Sequence, residues 1–201
     1  VCRPLGVDLT GIRVINGKRS VMFDAKLENA DLCDANFENA ELMDANLEKA
    51  TLKGAKLENA NLWRANLMNA VMCGANLEKA DLTQAKLENA SLRNARLQNA
   101  VMCYANLKNA NLSHAKLEKA DLTKANLKNA KLTEANLEDA DLSHALCRAN
   151  LCGANLKGAN LEDANLDCAK LQKADLRDSN LDGTILTYAN LYGANLCGAN
   201  L

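Results

Sequence analysis

The sequence predicts an all-β coil in which short extended segments wind around a continuous column of leucine side chains. Three observations predict it: a five-residue beat, an apolar content of 48% that is mostly alanine and leucine, and aromatics at only 3% with one proline. The beat is plain between Ala25 and Lys49, which reads AKLEN, ADLCD, ANFEN, AELMD, ANLEK. An alanine then recurs on every fifth position as far as Ala145. With the large apolar residue taken as the centre of each unit, centres run every five residues from Met22 to Leu142, then fall at Leu146, and resume from Leu151 to Leu201.

Alanine, leucine, glutamate and lysine are good helix formers, so composition alone would suggest a helix. The period excludes it. At about 100° per residue, a five-residue step drifts by about 140° per unit, which scatters the leucines around the whole circumference and leaves no buried face. In an extended segment, residues two apart point to the same side, so each alanine and the leucine after it share one face. The chain must then bend within two residues to bring the next pair inward. Repeating that bend gives a coil lined by alanine and leucine, with the other three positions facing water and successive turns about 4.8 Å apart. Each buried leucine contributes roughly 2 kcal/mol, so the ladder can stand in for a globular core.

This run of A-(D/N)-L-x-x units, from Ser20 to Leu201, resembles the pentapeptide repeat family. The resemblance implies a right-handed quadrilateral β-helix with four units, or about 20 residues, per coil. On that expectation the chain makes about nine to ten coils, a rod of roughly 45 Å. Residues 1–21 depart from the pattern: Leu9 and Val14 centre two degenerate units, and Asn16-Gly17 offers a turn. This stretch is expected to be an irregular cap or a junction, followed by the repeat coil over 22–201. At the far end the rhythm stops at Leu201, and that end is expected either to stack on another molecule or to be truncated.

One residue is missing from the beat between Ala145 and Ala149. Taking Leu146 as a centre places the loss in the D/N slot between Ala145 and Leu146. Cys147 and Arg148 would then point outward, and a single 19-residue coil would absorb the change without chemistry of its own.

Residues 20 apart stack in columns, and the columns carry whatever function exists. One column reads Glu38, Glu58, Glu78, Gln98, Glu118, Glu138, with Lys56, Arg96 and Lys116 two positions before some of these. Read alone it is a solvated, ion-paired face. The resemblance adds a sharper reading, since some family members bind bacterial DNA gyrase and topoisomerase IV through acidic surfaces as DNA mimics. A second column holds Met43, Trp63 and Cys103, with Arg64 and Tyr104 beside it and Met68 around the corner. Trp, Arg, Met and Tyr together have the composition of an interaction hot spot.

The chemistry of sites is thin. Seven of the eight cysteines fall on outward slots: Cys33, Cys73, Cys103, Cys147, Cys152 and Cys197 directly after a centre and Cys168 one later. Cys147 and Cys168 share a face on adjacent coils and could approach each other. No CxxC occurs, and His114 and His144 fall on different faces, so no metal is expected and no cofactor either. Unpaired exposed thiols fit a reducing compartment, the cytoplasm. A filled coil offers convex walls where catalysis needs a concave site. A net charge of −1, from 24 basic and 25 acidic residues, argues against nucleic acid and against an anionic membrane. No apolar run is long enough to span a membrane as a helix. The expected role is a non-enzymatic scaffold or protein-interaction module with a protein partner, with self-association through the coil ends as a further expectation. DNA mimicry directed at gyrase or another type II topoisomerase is the alternative.

Overall fold

A computed structural model describes residues 21–201 of the chain. The cap expected over 1–21, with its units at Leu9 and Val14, and Cys2 therefore lie outside the described residues, Val21 excepted.

Nearly every five-residue unit forms a parallel β-bridge to the residue 20 positions on, or 19 across the short step, as in Thr51 to Val71 and Val71 to Ser91. The backbone accounts for the rest. Val71 N–H donates to Ala50 O at 2.9 Å, Met72 N–H to Ser91 O at 2.7 Å and Gly74 N–H to Arg93 O at 2.9 Å, all between neighbouring coils. Ala75 N–H then closes a turn onto Met72 O at 3.1 Å. A unit is thus a short extended piece and a four-residue turn, and four units return the chain to its starting wall. From Ala40 to Leu181 the alanines and centres are buried, with Leu62, Leu87 and Leu112 at 0% exposure, and in the coil beyond Leu181 they are partly open. The four walls are named here by their first centres: Met22, Leu27, Leu32 and Phe37.

The turn explains two preferences of the repeat that periodicity cannot. Its second residue takes φ near +57° in the great majority of units, for example Arg64 at 57°, Tyr104 at 58° and Asn109 at 59°. That left-handed region favours asparagine, aspartate and glycine, and these fill many of the slots. The slot before each centre favours Asp or Asn because its side chain accepts the N–H of the first turn residue. Thr83 N–H donates to Asp81 Oδ1 at 2.9 Å, and Ser113 N–H donates to Asn111 Oδ1 at 3.1 Å. Such a side chain completes the turn locally.

On the Leu27 wall the second turn residues form an amide ladder, in which Asn109 Nδ2 donates to Asn89 Oδ1 at 3.1 Å and Asn129 Nδ2 to Asn109 Oδ1 at 3.3 Å. Asn109→Ala removes two rungs and places a less tolerant residue at positive φ, so urea unfolding is expected to show a loss of about 1–2 kcal/mol. Asn109→Gly should recover part of it, because glycine accepts the dihedral and lacks only the amide.

The register at the missing residue differs from the sequence expectation. Leu146 is 51% exposed, whereas Cys147 is fully buried. Leu146 bridges Asn126 and Asn165, so it occupies the D/N slot, and Cys147 is the centre. The reason is strand alternation: an inward alanine and its inward partner must be two residues apart, and Ala145 is two from Cys147 but only one from Leu146. The five-residue beat therefore runs on to Cys147, and the short step is Cys147 to Leu151. What is lost is the second turn residue. Asn129 N–H donates to Arg148 O, which places Arg148 at the first turn position, and Ala149 N–H turns back directly onto Cys147 O. Bridge separation drops to 19 from Lys131↔Asn150 to Leu146↔Asn165 and returns to 20 at Asn150↔Lys170.

Cys147 is thus an inward residue, contrary to its expected outward slot, and it does not meet Cys168, which is exposed on the turn; both are free thiols. Burial pushes the Cys147 thiol up to about 12 from an ordinary 9.0. A folded value raised above the unfolded one means that the protonated thiol contributes fully below about pH 9 and that this contribution is lost as pH climbs towards 12. The melting temperature is expected to fall above pH 9, and a Cys147→Val variant should flatten that fall. In the folded protein iodoacetamide is expected to label Cys197 and, more slowly, Cys168, whose thiol is raised chiefly by its hydrogen bond to Asp167. Cys147 should label only on unfolding.

Candidate interaction surface

The Met22 wall carries the tryptophan column. Asp44 N–H donates to Trp63 O at 2.9 Å and Arg64 N–H donates to Thr83 O at 2.9 Å, so Met43, Trp63 and Thr83 are successive first turn residues, with Cys103 next. Asp44, Arg64, Gln84 and Tyr104 run beside them as second turn residues. The Arg64 guanidinium lies over the Trp63 ring, 4.8 Å from its centroid, while its Nε is 3.1 Å from Asp44 Oδ1. One coil beyond Tyr104, the Lys124 ammonium sits 5.4 Å from the Tyr104 ring and donates to its hydroxyl at 3.2 Å. Trp63 is half-buried, and Tyr104 is 55% exposed.

The structure brings Met43, Trp63 and Arg64 into one cluster. Cys103 and Tyr104 lie two coils farther along the same wall, roughly 9.6 Å at strand spacing. Met68 belongs to the Leu27 wall, where its N–H is held by Asn66 Oδ1 at 3.2 Å. Between the two walls lies a polar hollow of about 410 Å³ lined by Asp44, Asn46, Arg64, Asn66, Gln84 and Lys86. Cys103 is no nucleophile here. Partial burial and a 2.9 Å hydrogen bond from its thiol to Asp121 Oδ2 push it up to about 12. Asp121 is lowered in turn: burial raises it, but the bonds from Cys103 and Thr123 outweigh that.

The acidic column stands on the Phe37 wall. Glu38 is exposed, and Glu58, Glu78, Glu118 and Glu138 are part-buried. Four of them each accept one donor of the same wall: Asn76 donates to Glu58, Arg96 to Glu78 at 3.0 Å, Asn136 to Glu118 at 2.9 Å and Asn155 to Glu138 at 3.4 Å, while the Oε2 atoms of Glu58 and Glu118 are buried without a partner. With the register corrected, the column continues into Lys157 and Arg177. Glu38, Glu58 and Glu78, with Asn59 and Lys79, line a shallow hollow of about 190 Å³.

Counting charges wall by wall shows what column reading missed. The Phe37 wall has eight carboxylates against seven cations, the Leu27 wall four against six and the Leu32 wall three against five. The Met22 wall has nine carboxylates, among them Asp44, Asp81, Asp121 and Asp141, against Arg64 and Lys124 alone. The acidic wall is therefore the one that carries Trp63, with Phe23 and Tyr104. The signal is present in the sequence, but it emerges only when residues are summed by wall with the 19-residue step in its true place.

His114 pairs with Glu134 at 3.2 Å on the Leu32 wall and His144 with Asp163 at 3.6 Å on the Met22 wall. Among the described residues no group of three His, Cys, Asp or Glu is placed to hold a metal ion, and no helix is long and apolar enough to cross a membrane.

The family profile of pentapeptide repeats matches in 8 copies, with matched segments running from 20–59 to 164–201. Among solved structures, HetL, a pentapeptide repeat protein involved in heterocyst differentiation regulation from the cyanobacterium Nostoc sp. strain PCC 7120, is 38% identical over 91% of this chain and 91% of its own, with a TM-score of 0.40. Rfr23, from the cyanobacterium Cyanothece 51142, is 44% identical over 47% of this chain and 63% of its own, with a TM-score of 0.27. QnrB1, a plasmid-mediated fluoroquinolone resistance protein, is 17% identical over 90% and 91%, with a TM-score of 0.43. No curated protein matches the chain.

Proposed function

We propose, from the premise that this chain belongs to the pentapeptide repeat family, that it is a non-enzymatic scaffold that binds a protein partner along its Met22 wall. The rod we picture is right-handed with about nine to ten coils. The observation that carries the reading is the Trp63, Arg64 and Asp44 cluster: a half-buried indole, a guanidinium stacked on it at 4.8 Å and a carboxylate that orients the guanidinium. Trp and Arg held in place this way lose little freedom when a partner covers them, which is what hot-spot residues require. Met43 extends the cluster by one coil, Cys103 and Tyr104 extend the wall, and Met68 flanks it from the Leu27 side.

The double variant Trp63→Ala, Arg64→Ala is expected to keep its circular dichroism and lose its captured partners in an affinity pull-down from the native host. The same partners in the same yield would sink the patch. The second reading, DNA mimicry at a type II topoisomerase, draws on Glu38, Glu58, Glu78, Glu118 and Glu138. Lys56, Lys79, Arg96, Lys116 and Lys119 share that wall with them, and this balance of charge weights the scaffold reading. A supercoiling assay with excess protein separates the two, since mimicry requires inhibition or drug protection.

A further inference from the structure

We infer that the Met22 wall is a docking surface for an extended, lysine- and arginine-rich polypeptide segment laid along the rod. The inference rests on the proposed reading of this wall as the binding surface and names the chemistry of what it binds.

Charge is segregated by wall. The described chain carries 24 carboxylates against 20 cations, yet nine carboxylates against two cations stand on this one wall. The other three together hold 15 carboxylates and 18 cations, so the whole acidic excess of the rod, and more, is concentrated here. Parallel stacking repeats the wall at roughly 4.8 Å, which turns scattered aspartates into a continuous negative strip. Such a strip focuses potential towards a cationic partner.

The same wall carries apolar and aromatic groups that a charged face does not need for solubility: Phe23 at 49% exposure, Val101 at 37% and Tyr104 at 55%, besides Trp63. Its only two cations show what those rings accept. Arg64 lies over Trp63 beside Asp44, and the Lys124 ammonium is held at the hydroxyl end of the Tyr104 ring. In both places a cation from the wall itself rests against an aromatic side chain, and stacking on the ring or bonding to a phenol oxygen would hold guanidinium and ammonium groups from elsewhere as well. A basic segment supplies more such groups at intervals along its length, and its aliphatic stems cover the exposed valine and phenylalanine.

Fluorescent octa-arginine, octa-lysine and octa-glutamate are the probes. The charge variant combines Asp24→Asn, Asp81→Asn, Asp141→Asn and Asp163→Asn, which keeps every turn bond, since asparagine already fills equivalent slots at Asn61 and Asn109. The control variant combines Glu38→Gln, Glu58→Gln, Glu118→Gln and Glu138→Gln on the Phe37 wall. The wild type is expected to bind octa-arginine more tightly than octa-lysine and to leave octa-glutamate free. The charge variant should lose about tenfold in affinity for octa-arginine at low salt and the control less than about twofold. Equal losses in the two variants, no binding by the wild type, or equal binding of octa-glutamate would overturn the inference. So would a wild-type dimer in sedimentation that the charge variant dissociates, because the occupant would then be a second copy bringing its basic walls. If the Trp63 and Arg64 double variant loses its captured partner while the charge variant keeps it, the basic segment is refuted and the interaction wall stands.

Discussion

Cys147→Asp is expected to destabilise the protein by about 3 kcal/mol or more in urea unfolding, because it places a carboxylate at a fully buried centre with no partner. Its neighbour behaves oppositely. Leu146→Asn is expected to change stability by no more than about 0.5 kcal/mol, since that side chain is half in water and its stacked neighbours Asn126 and Asn165 are already asparagine. The pair is a direct test of register. If leucine proved the costly position and cysteine the tolerant one, the inward and outward assignments at the short turn would be reversed. Cys147→Leu is informative as well, for a centre that accepts leucine elsewhere should accept it here with at most a small repacking cost.

Leu87→Ala is expected to cost about 2–5 kcal/mol, the range for a leucine whose removal leaves a cavity that the surroundings cannot close. Leu87 is 0% exposed and lies between Leu67 and Leu107 on the adjacent coils. Backbone hydrogen bonds hold those coils at a set spacing, so collapse onto the gap is resisted. A coil touches only its neighbours, and stability in such arrays adds locally. Hydrogen exchange should therefore quicken around residues 62–112 and leave the amides near Leu171 protected. A loss below about 1 kcal/mol, or faster exchange along the entire rod, would contradict this account of the leucine ladder.

The coil and its inward residues were legible because they depend on a one-dimensional rule. Ala-x-Leu is inward wherever the chain is extended, and a five-residue period excludes the helix that composition invites. The same rule, applied at residues 145–147, would have placed Cys147 inside. Leucine at 146 drew the centre towards itself by hydropathy, although geometry overrules hydropathy at that step. The reason for Asp and Asn before each centre was not legible from periodicity, since it lies in a side chain closing onto the N–H two residues later, as at Asp81 and Thr83. Nor was the hydrogen bonding of the glutamate column, because Asn76, Arg96 and Asn136 reach it only across coils.

What the sequence determined by itself is the repeat, the inward pair, the 20-residue column and the family, all consequences of a local beat repeated too often to be accidental. Tertiary structure alone decided which cation lies against which ring and which donors reach the glutamate column across coils. It also brought out two facts that the sequence held but column reading missed: Cys147 is the sealed centre, and the tryptophan and the acidic excess share one wall. Those facts depend on side chains 19 or 20 residues apart being brought to strand spacing, and a single shifted position in the count moves every later residue to another slot.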